Sequence, residues 1–112
     1  MRQRLIRMLL VSTIAAGLLV VCAGSARGQN SGEALFKTKC AACHGPDGKG
    51  AVPMGKTLGA KDLSSAEVQK QSDPQLTEVV TKGKNKMPAY DGKLSKEQIA
   101  QLVAYIRDLG KK

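Results

Sequence analysis

Two cysteines and a histidine stand together in the segment Cys40-Ala41-Ala42-Cys43-His44. Side chains three residues apart share one face of a helix, so each thiol can add to one of the two vinyl groups along a porphyrin edge. The next residue, His44, can place its imidazole under the iron as the proximal ligand. C-x-x-C-H is the attachment sequence of c-type haem, and the segment therefore predicts one covalently bound haem c.

Three other chemistries fit this segment less well. A thioredoxin-like redox pair belongs to a βαβ setting, and the chain has no strand pattern. A zinc site lacks a fourth ligand, because His44 is the single histidine and no cysteine follows Cys43. A plain disulfide between Cys40 and Cys43 would not tie distant segments together. We therefore expect both thiols to hold haem.

A methionine is the expected second axial ligand of the iron. Met87 lies 43 residues after His44, which is enough chain to circle the haem and return on its far face. Met54 lies in the loop directly after His44, and that loop has first to cover the histidine side. We expect Met87 to be the distal ligand and Met54 to pack against the haem rim, the alternative for Met87 being a core-filling role.

The elements that position these residues are predicted to be three main helices joined by loops. Asn30 is the expected cap of the first helix, which puts Phe36, Cys40 and Cys43 on one face. A turn at residues 45–48 ends that pattern, and residues 49–62 read as a glycine-rich loop.

Capping sequences and glycines mark the later helix boundaries. Ser64–Glu67 is a capping box that opens a short helical turn, and Asp73-Pro74 is the expected start of the second main helix. That helix stops at Gly83. Ser95–Gln98 opens the last helix, which ends at Gly110. With no strand pattern of any length, the predicted fold class is all-α.

The first 28 residues are typical of an export signal peptide. A basic start without acidic residues is followed by an apolar run at residues 8–21 and then by small residues. Cleavage is expected after Ala26 or Gly28, which leaves residues 29–112 as one periplasmic domain. Two alternatives are an uncleaved membrane anchor, for which the apolar run is short, and lipid attachment at Cys22, where Val21 is bulkier than such sites prefer.

Cleavage after Gly28 lowers the formal net charge from +9 to +5, because four arginines leave with the signal. A domain of this size sits near the limit at which an apolar core alone gives a stable fold. Two cysteines three residues apart cannot supply the missing stability as a disulfide. A large apolar prosthetic group can.

Residues 32–109 resemble the class I c-type cytochromes, the small soluble bacterial kind. The resemblance rests on residues of the first helix, the attachment segment, the methionine loop and the last helix: Gly32, Phe36, Cys40, Cys43, His44, Lys86-Met87-Pro88-Ala89-Tyr90, Leu102 and Tyr105. It implies a cytochrome c fold, in which three main helices and their loops wrap around one haem. The absence of tryptophan departs from the family pattern.

The resemblance also carries expectations about contacts. The first and last helices should cross at right angles with Gly32 against Tyr105, since glycine allows a close approach. The Pro53 carbonyl should accept a hydrogen bond from the outer nitrogen of His44. Eight apolar side chains should pack around the haem, leaving the apoprotein poorly folded: Leu35, Phe36, Leu58, Leu63, Leu76, Val80, Leu102 and Ile106.

Function follows from the ligands. His44 and Met87 together fill both axial positions and leave no place for oxygen or a substrate. The sequence therefore predicts a one-electron carrier of a respiratory or photosynthetic chain, with no catalytic residues and no enzymatic activity. Two alternatives are an electron-entry subunit of a periplasmic dehydrogenase or oxidase complex and a haem-based sensor or enzyme.

Lysines surround the predicted haem edge, and they indicate the kind of partner. They lie beside the attachment segment and on both sides of Met87, at positions 37, 39, 82, 84, 86, 93 and 96. Such a rim would steer the protein to acidic surfaces of redox protein partners, the alternative being a solvated face. Nucleic acid binding is not expected, because no stacking aromatics lie among the lysines. We expect a monomer with no membrane span after cleavage.

Overall fold

Six helical segments form the part of the chain that the structure describes. The computed structural model covers the backbone of residues 26–112 and the side chains of residues 31–112. The helices are α1 (Ala26–Lys39), α2 (Ala41–His44), α3 (Pro53–Leu58), α4 (Ala66–Gln69), α5 (Asp73–Lys82) and α6 (Lys96–Leu109). Within these residues the only extended pairings are two isolated bridges, Lys84 with Met87 and Asp91 with Leu94. The all-α class is confirmed.

The predictions for the start of the chain mostly lie outside the described residues. These are the basic start, the apolar run and Cys22, all within residues 1–25. The two candidate cleavage points, after Ala26 and Gly28, fall in the first turn of α1. This helix begins before Asn30, so the prediction that Asn30 caps it is wrong: the helical backbone runs through this position.

Two other predicted caps are displaced by one residue. α5 is capped by Ser72, not Asp73: the Ser72 hydroxyl accepts from Gln75 N, and the Gln75 side chain returns to Ser72 N. A hydroxyl with a glutamine three positions later satisfies two free N–H groups at once, which places Asp73 and Pro74 inside the first turn. In the same way Ser65, and not Ser64, caps α4.

Other boundaries agree with the sequence. α5 ends at Gly83, Ser95 and Gln98 form the capping box of α6, and Gly110 follows its last residue. One helix was not predicted, since the glycine-rich segment 49–62 contains α3. Pro53 opens it and Gly59 closes it in the left-handed conformation, with φ 70° and ψ 35°. This arrangement of proline and glycine is a known pair of helix boundaries.

α1 and α6 pack closely where the family resemblance placed Gly32 against Tyr105. A Cβ at Gly32 would collide with the Gln101 carbonyl oxygen and lie 3.2 Å from Tyr105 Cβ. One turn further along α1, the Phe36 ring stacks on the Tyr105 ring with centroids 5.1 Å apart at a tilt of 49°. The contact is confirmed, and the right-angled crossing stays a prediction.

A methyl group at Gly32 should separate these two helices. Gly32→Ala is expected to lower the free energy of unfolding of the holoprotein by about 1–3 kcal/mol, because the obstacle is a backbone carbonyl that cannot rotate away. Denaturant unfolding followed by circular dichroism measures the change. Ala34→Ser, which enlarges an exposed position of the same helix, is the control. Equal midpoints for the two variants would contradict the close packing.

The core contains most of the apolar side chains that were expected to pack around the haem. Phe36 and Leu102 are the most deeply buried, and ten further side chains join them: Leu63, Val68, Leu76, Val80, Leu94, Ile99, Val103, Tyr105, Ile106 and Leu109. Leu35 and Leu58 are half-buried. Leu35 also packs against this core, beside the partly buried Cys40, Ala41, Met87 and Tyr90.

A polar network on Arg107 fastens the connection between α4 and α5 to α6. The guanidinium donates to Asp73 Oδ1 at 2.9 Å, to the Gln69 carbonyl at 2.8 Å and to the Gln71 carbonyl. The Gln69 side chain in turn donates to the Ile106 carbonyl at 2.9 Å. The network fixes the start of α5, the helix that leads to the methionine loop.

Among the described residues, no helix has both the length and the apolar character to cross a bilayer.

Candidate haem site

Cys40 and Cys43 lie where α1 passes into the short α2. Cys43 N and His44 N both donate to the Cys40 carbonyl, at 3.2 Å and 3.0 Å, so one helical turn joins the three residues. Both cysteines are free thiols and half-buried. Burial raises the pKa of the Cys40 thiol to about 11, with a smaller contribution from Cys43. Two free, unlinked thiols one turn apart fit the two vinyl groups of a haem edge.

His44 has one ring nitrogen engaged by the protein. Its Nδ1 lies 3.0 Å from the Lys61 carbonyl oxygen. A carbonyl only accepts, so Nδ1 carries the proton and donates, which leaves Nε2 with the lone pair that an iron ligand needs. The partner is therefore Lys61, and the expectation that Pro53 plays this part is wrong. Pro53 opens α3, and its carbonyl accepts instead from the Thr57 hydroxyl at 3.0 Å within that helix.

The loop after His44 is braced against the attachment segment. Gly50 N donates to the His44 carbonyl at 2.7 Å. A Cβ at Gly55 in α3 would collide with the Cys43 carbonyl oxygen, so this helix lies directly on α2. Asp62, next to Lys61, accepts from both the hydroxyl and the N–H of Ser64, and these bonds hold the pKa of its carboxyl below the usual range. The Lys61 carbonyl thus sits in an ordered turn.

Met87 lies in a short loop between α5 and α6. Lys84 N donates to the Met87 carbonyl at 3.3 Å, and Met87 N donates to the Lys84 carbonyl at 2.9 Å. Tyr90 N then donates to the Val80 carbonyl at 3.1 Å, which returns the chain to α5. Met87 is half-buried and packs against the same hydrophobic core as Cys40. Met54, by contrast, is 53% exposed.

Tyr90 ties the methionine loop to the attachment segment. Its hydroxyl donates to the Lys39 carbonyl at 2.9 Å, across 51 residues of sequence. Burial raises the pKa of this phenol, and Cys40 and Cys43 add smaller contributions. Tyr90 was expected in the site only through the family resemblance, because nothing in the local sequence shows that a tyrosine after Met-Pro-Ala bonds to the last residue of α1.

Loss of that hydroxyl should weaken the closure of the site. Tyr90→Phe is expected to lower the free energy of unfolding of the holoprotein by about 1 kcal/mol, the usual net value of one hydrogen bond. Tyr105→Phe is a matched control, since its hydroxyl makes no hydrogen bond within the described residues while its ring keeps the contact with Phe36. Chemical denaturation of both variants measures the difference. An equal effect of the two substitutions would argue against the role of the Tyr90 hydroxyl.

Comparison with known proteins agrees with this site. A family model described as "Cytochrome C oxidase, cbb3-type, subunit III" matches residues 28–106. The chain is similar to cytochrome c6 of Limnospira maxima, with 37% identity over 86 residues, covering 73% of this chain and 93% of the relative. It is also similar to cytochrome c6 of Thermosynechococcus vestitus, with 36% identity over 104 residues, covering 91% and 90% of the two chains.

A solved structure is similar to the fold as well. The KustC0563 c-type cytochrome has 34% sequence identity and a TM-score of 0.65, covering 70% of this chain and 95% of that one. The single C-x-x-C-H segment corresponds to one haem c, with its iron, held covalently. The sequence matches, the shared fold and the paired thiols beside a histidine agree: the chain belongs to the class I c-type cytochromes, small carriers of single electrons.

Proposed function

We propose that the chain is an exported, periplasmic one-electron carrier of a respiratory or photosynthetic chain, and not an enzyme. Cys40 and Cys43 form the thioether bonds, His44 is the proximal iron ligand and Met87 is the distal one. The observation that carries this assignment is the packing of Met87 and Cys40 against one hydrophobic core, while His44 Nδ1 is committed to the Lys61 carbonyl.

The described residues hold both axial ligands in place. The Lys61 carbonyl fixes the orientation and tautomer of His44, as a partner of a metal-bound histidine commonly does. The methionine loop is held by its return to α5 and by the Tyr90 bond to Lys39. Bound haem c supplies a reversible one-electron change of its iron, at a potential that methionine ligation raises. Because the same side chains hold both oxidation states, little has to rearrange during transfer.

Carbon monoxide tests the proposal directly. The holoprotein is expressed with a haem-attachment system, reduced, and its absorption spectrum recorded before and after addition of carbon monoxide. We expect an unchanged low-spin spectrum, since both axial positions are occupied by protein. Prompt formation of a carbonyl complex would show an open or labile sixth position and favour a sensor or an enzyme instead.

A second candidate is an electron-entry subunit of an oxidase complex. The matched family model, whose description names an oxidase subunit, favours it. The two candidates differ in what becomes of residues 1–28. Cleavage after Ala26 or Gly28 gives a released holoprotein whose mass lacks that segment, as mass spectrometry of the periplasmic fraction would show. A holoprotein of full-length mass in the membrane fraction would favour the subunit.

Charge around the methionine loop supports docking to acidic redox proteins, with the carrier acting as a monomer. Lys39, Lys84, Lys86 and Lys93, here called the lysine rim, form no ion pair within the described residues. Lys37 and Lys82 differ, because they pair with carboxylates of their own helices at 2.8 Å and 3.0 Å. The Tyr90 bond to the Lys39 carbonyl links the methionine loop, which contains Lys84 and Lys86, to the end of α1, which contains Lys39. Exposed charge that is not compensated by a neighbouring carboxylate steers partners of opposite sign.

Neutralising part of the rim should slow reaction with an anionic partner. Lys84→Gln with Lys86→Gln is expected to lower the rate of oxidation by ferricyanide at low salt by about threefold to tenfold, a part of what electrostatic steering supplies. Stopped-flow kinetics at increasing ionic strength measures it, and the two proteins should converge at high salt. Lys49→Gln with Lys70→Gln is the control, because it removes the same charge from two exposed lysines outside the methionine loop that also form no ion pair within the described residues. A wild-type rate that does not depend on salt would contradict steering.

A further inference from the structure

Gly83, at the end of α5, has a backbone conformation that other residues avoid. Its φ is 74° and its ψ is 170°, a region that is essentially restricted to glycine. A Cβ here would lie 2.5 Å from the Met87 carbonyl oxygen, 2.9 Å from Ala89 N and 2.9 Å from the Pro88 carbonyl carbon. All three are backbone atoms, so no side-chain rotation could relieve the contact. The segment that carries Met87 therefore lies directly on Gly83.

The ends of this segment cannot absorb a displacement. Gly83 N donates to the Val79 carbonyl at 2.8 Å, and Tyr90 N donates to the Val80 carbonyl at 3.1 Å. Both ends are thus held on neighbouring residues of α5. A side chain at position 83 would have to push the middle of the loop away from the helix, and the middle contains Met87.

A turn inside the loop also brings the Met87 backbone close to Gly83. Asn85 is the one non-glycine residue with positive φ among the described residues, at 54°. Asparagine is among the residues that tolerate this conformation best. The turn reverses the chain between Lys84 and Met87, whose backbone groups bond to each other, and so lays the Met87 carbonyl back over Gly83.

We propose that Gly83 is a positioning residue for the distal iron ligand: the missing side chain at this position sets how close the Met87 backbone lies to α5, and so where the methionine sulfur can reach. The inference rests on the proposed role of Met87. From the sequence, Gly83 was expected only to end the helix. The proposal adds an effect of this residue on iron ligation.

A comparison of two glycines tests the proposal. Gly92 also has positive φ, at 75°, but a Cβ there would meet no atom within 4 Å. Gly83→Ala and Gly92→Ala therefore both place an alanine at a positive φ, and of the two only the first adds the contact with the Met87 segment. For Gly83→Ala we expect carbon monoxide to bind the reduced holoprotein about tenfold faster or more, with loss of the methionine-to-iron charge-transfer band and a lower reduction potential. Gly92→Ala should leave all three unchanged.

The outcomes separate this inference from the proposed function. Prompt carbon monoxide binding by the wild-type protein would overturn the role of Met87. A wild type that resists carbon monoxide, with either no effect of Gly83→Ala or equal effects of both alanine variants, would overturn the role of Gly83 alone.

A double variant covers a failure of Gly83→Ala to yield holoprotein. In a Met87→Ala background the loop has no ligand to hold, so adding Gly83→Ala should give holoprotein and change carbon monoxide binding no further. An additional increase in the double variant, or its own failure to fold, would show a general structural role and overturn the proposal.

Discussion

Replacing Met87 with alanine should open the sixth coordination position of the iron. We expect the reduced variant to bind carbon monoxide promptly where the wild-type protein does not, because a methyl side chain offers the iron no lone pair. The reduction potential should fall by a few tenths of a volt, part of the roughly 0.8 V range over which axial ligands tune haem. Absorption spectroscopy and redox titration of the holoprotein measure the two effects.

Met54→Ala is the matched control for this substitution. Met54 is the other methionine among the side chains that the structure describes, and it is 53% exposed. Its removal should change neither carbon monoxide binding nor potential appreciably. If Met54→Ala opened the site and Met87→Ala did not, the assignment of the distal ligand would be reversed.

The apoprotein should have no stable fold. Cys40→Ala with Cys43→Ala, expressed without haem, is expected to lose essentially all of the roughly 5–15 kcal/mol by which small domains are stable. The reason lies in the half-buried wall of Leu35, Cys40, Ala41 and Met87, which packs on the core from one side and would turn its other side to water. Far-ultraviolet circular dichroism and a thermal melt measure the loss.

The holoprotein treated in the same way is the reference for this result. It should show a helical spectrum and one cooperative transition, whereas the apoprotein should show weak helicity and a gradual change. A near-native spectrum with a cooperative melt in the apoprotein would mean that the buried core around Phe36 and Leu102 is sufficient on its own.

Features that depend on neighbouring residues could be predicted from the sequence. The attachment segment and the Ser95–Gln98 box each act within five residues, and the box lies where it was expected. Prediction of the start of α5 failed because Ser72 and Asp73 are both good caps. Gln75 decides between them, since it stands three residues after Ser72 and can return its hydrogen bond. Pro53 and Gly59, which mark the two ends of α3, could have predicted this helix. The glycine-rich composition of residues 49–62 favoured a loop instead.

Contacts made by the backbone could not be predicted in this way. Every residue has a backbone carbonyl. Nothing in the sequence therefore distinguishes the Lys61 carbonyl, which accepts from His44 Nδ1, from the Pro53 carbonyl. The Tyr90 bond to the Lys39 carbonyl has the same character. In the sequence, Arg107 is only one more basic residue of the last helix. The structure shows that it donates to the Gln69 and Gln71 carbonyls. Such partners are chosen by how the loops fold, and that is a long-range property.

The anchoring of the methionine loop has a consequence for protein engineering. Its two ends bond to consecutive residues of α5, since Gly83, Tyr90 and Asp91 donate to the carbonyls of Val79, Val80 and Thr81. The segment is therefore a cassette with both attachment points on one rigid helix. A replacement of the same length that presents histidine in place of methionine could be inserted there without reshaping the surrounding scaffold. The histidine and methionine versions would then differ in reduction potential while sharing the same outer surface.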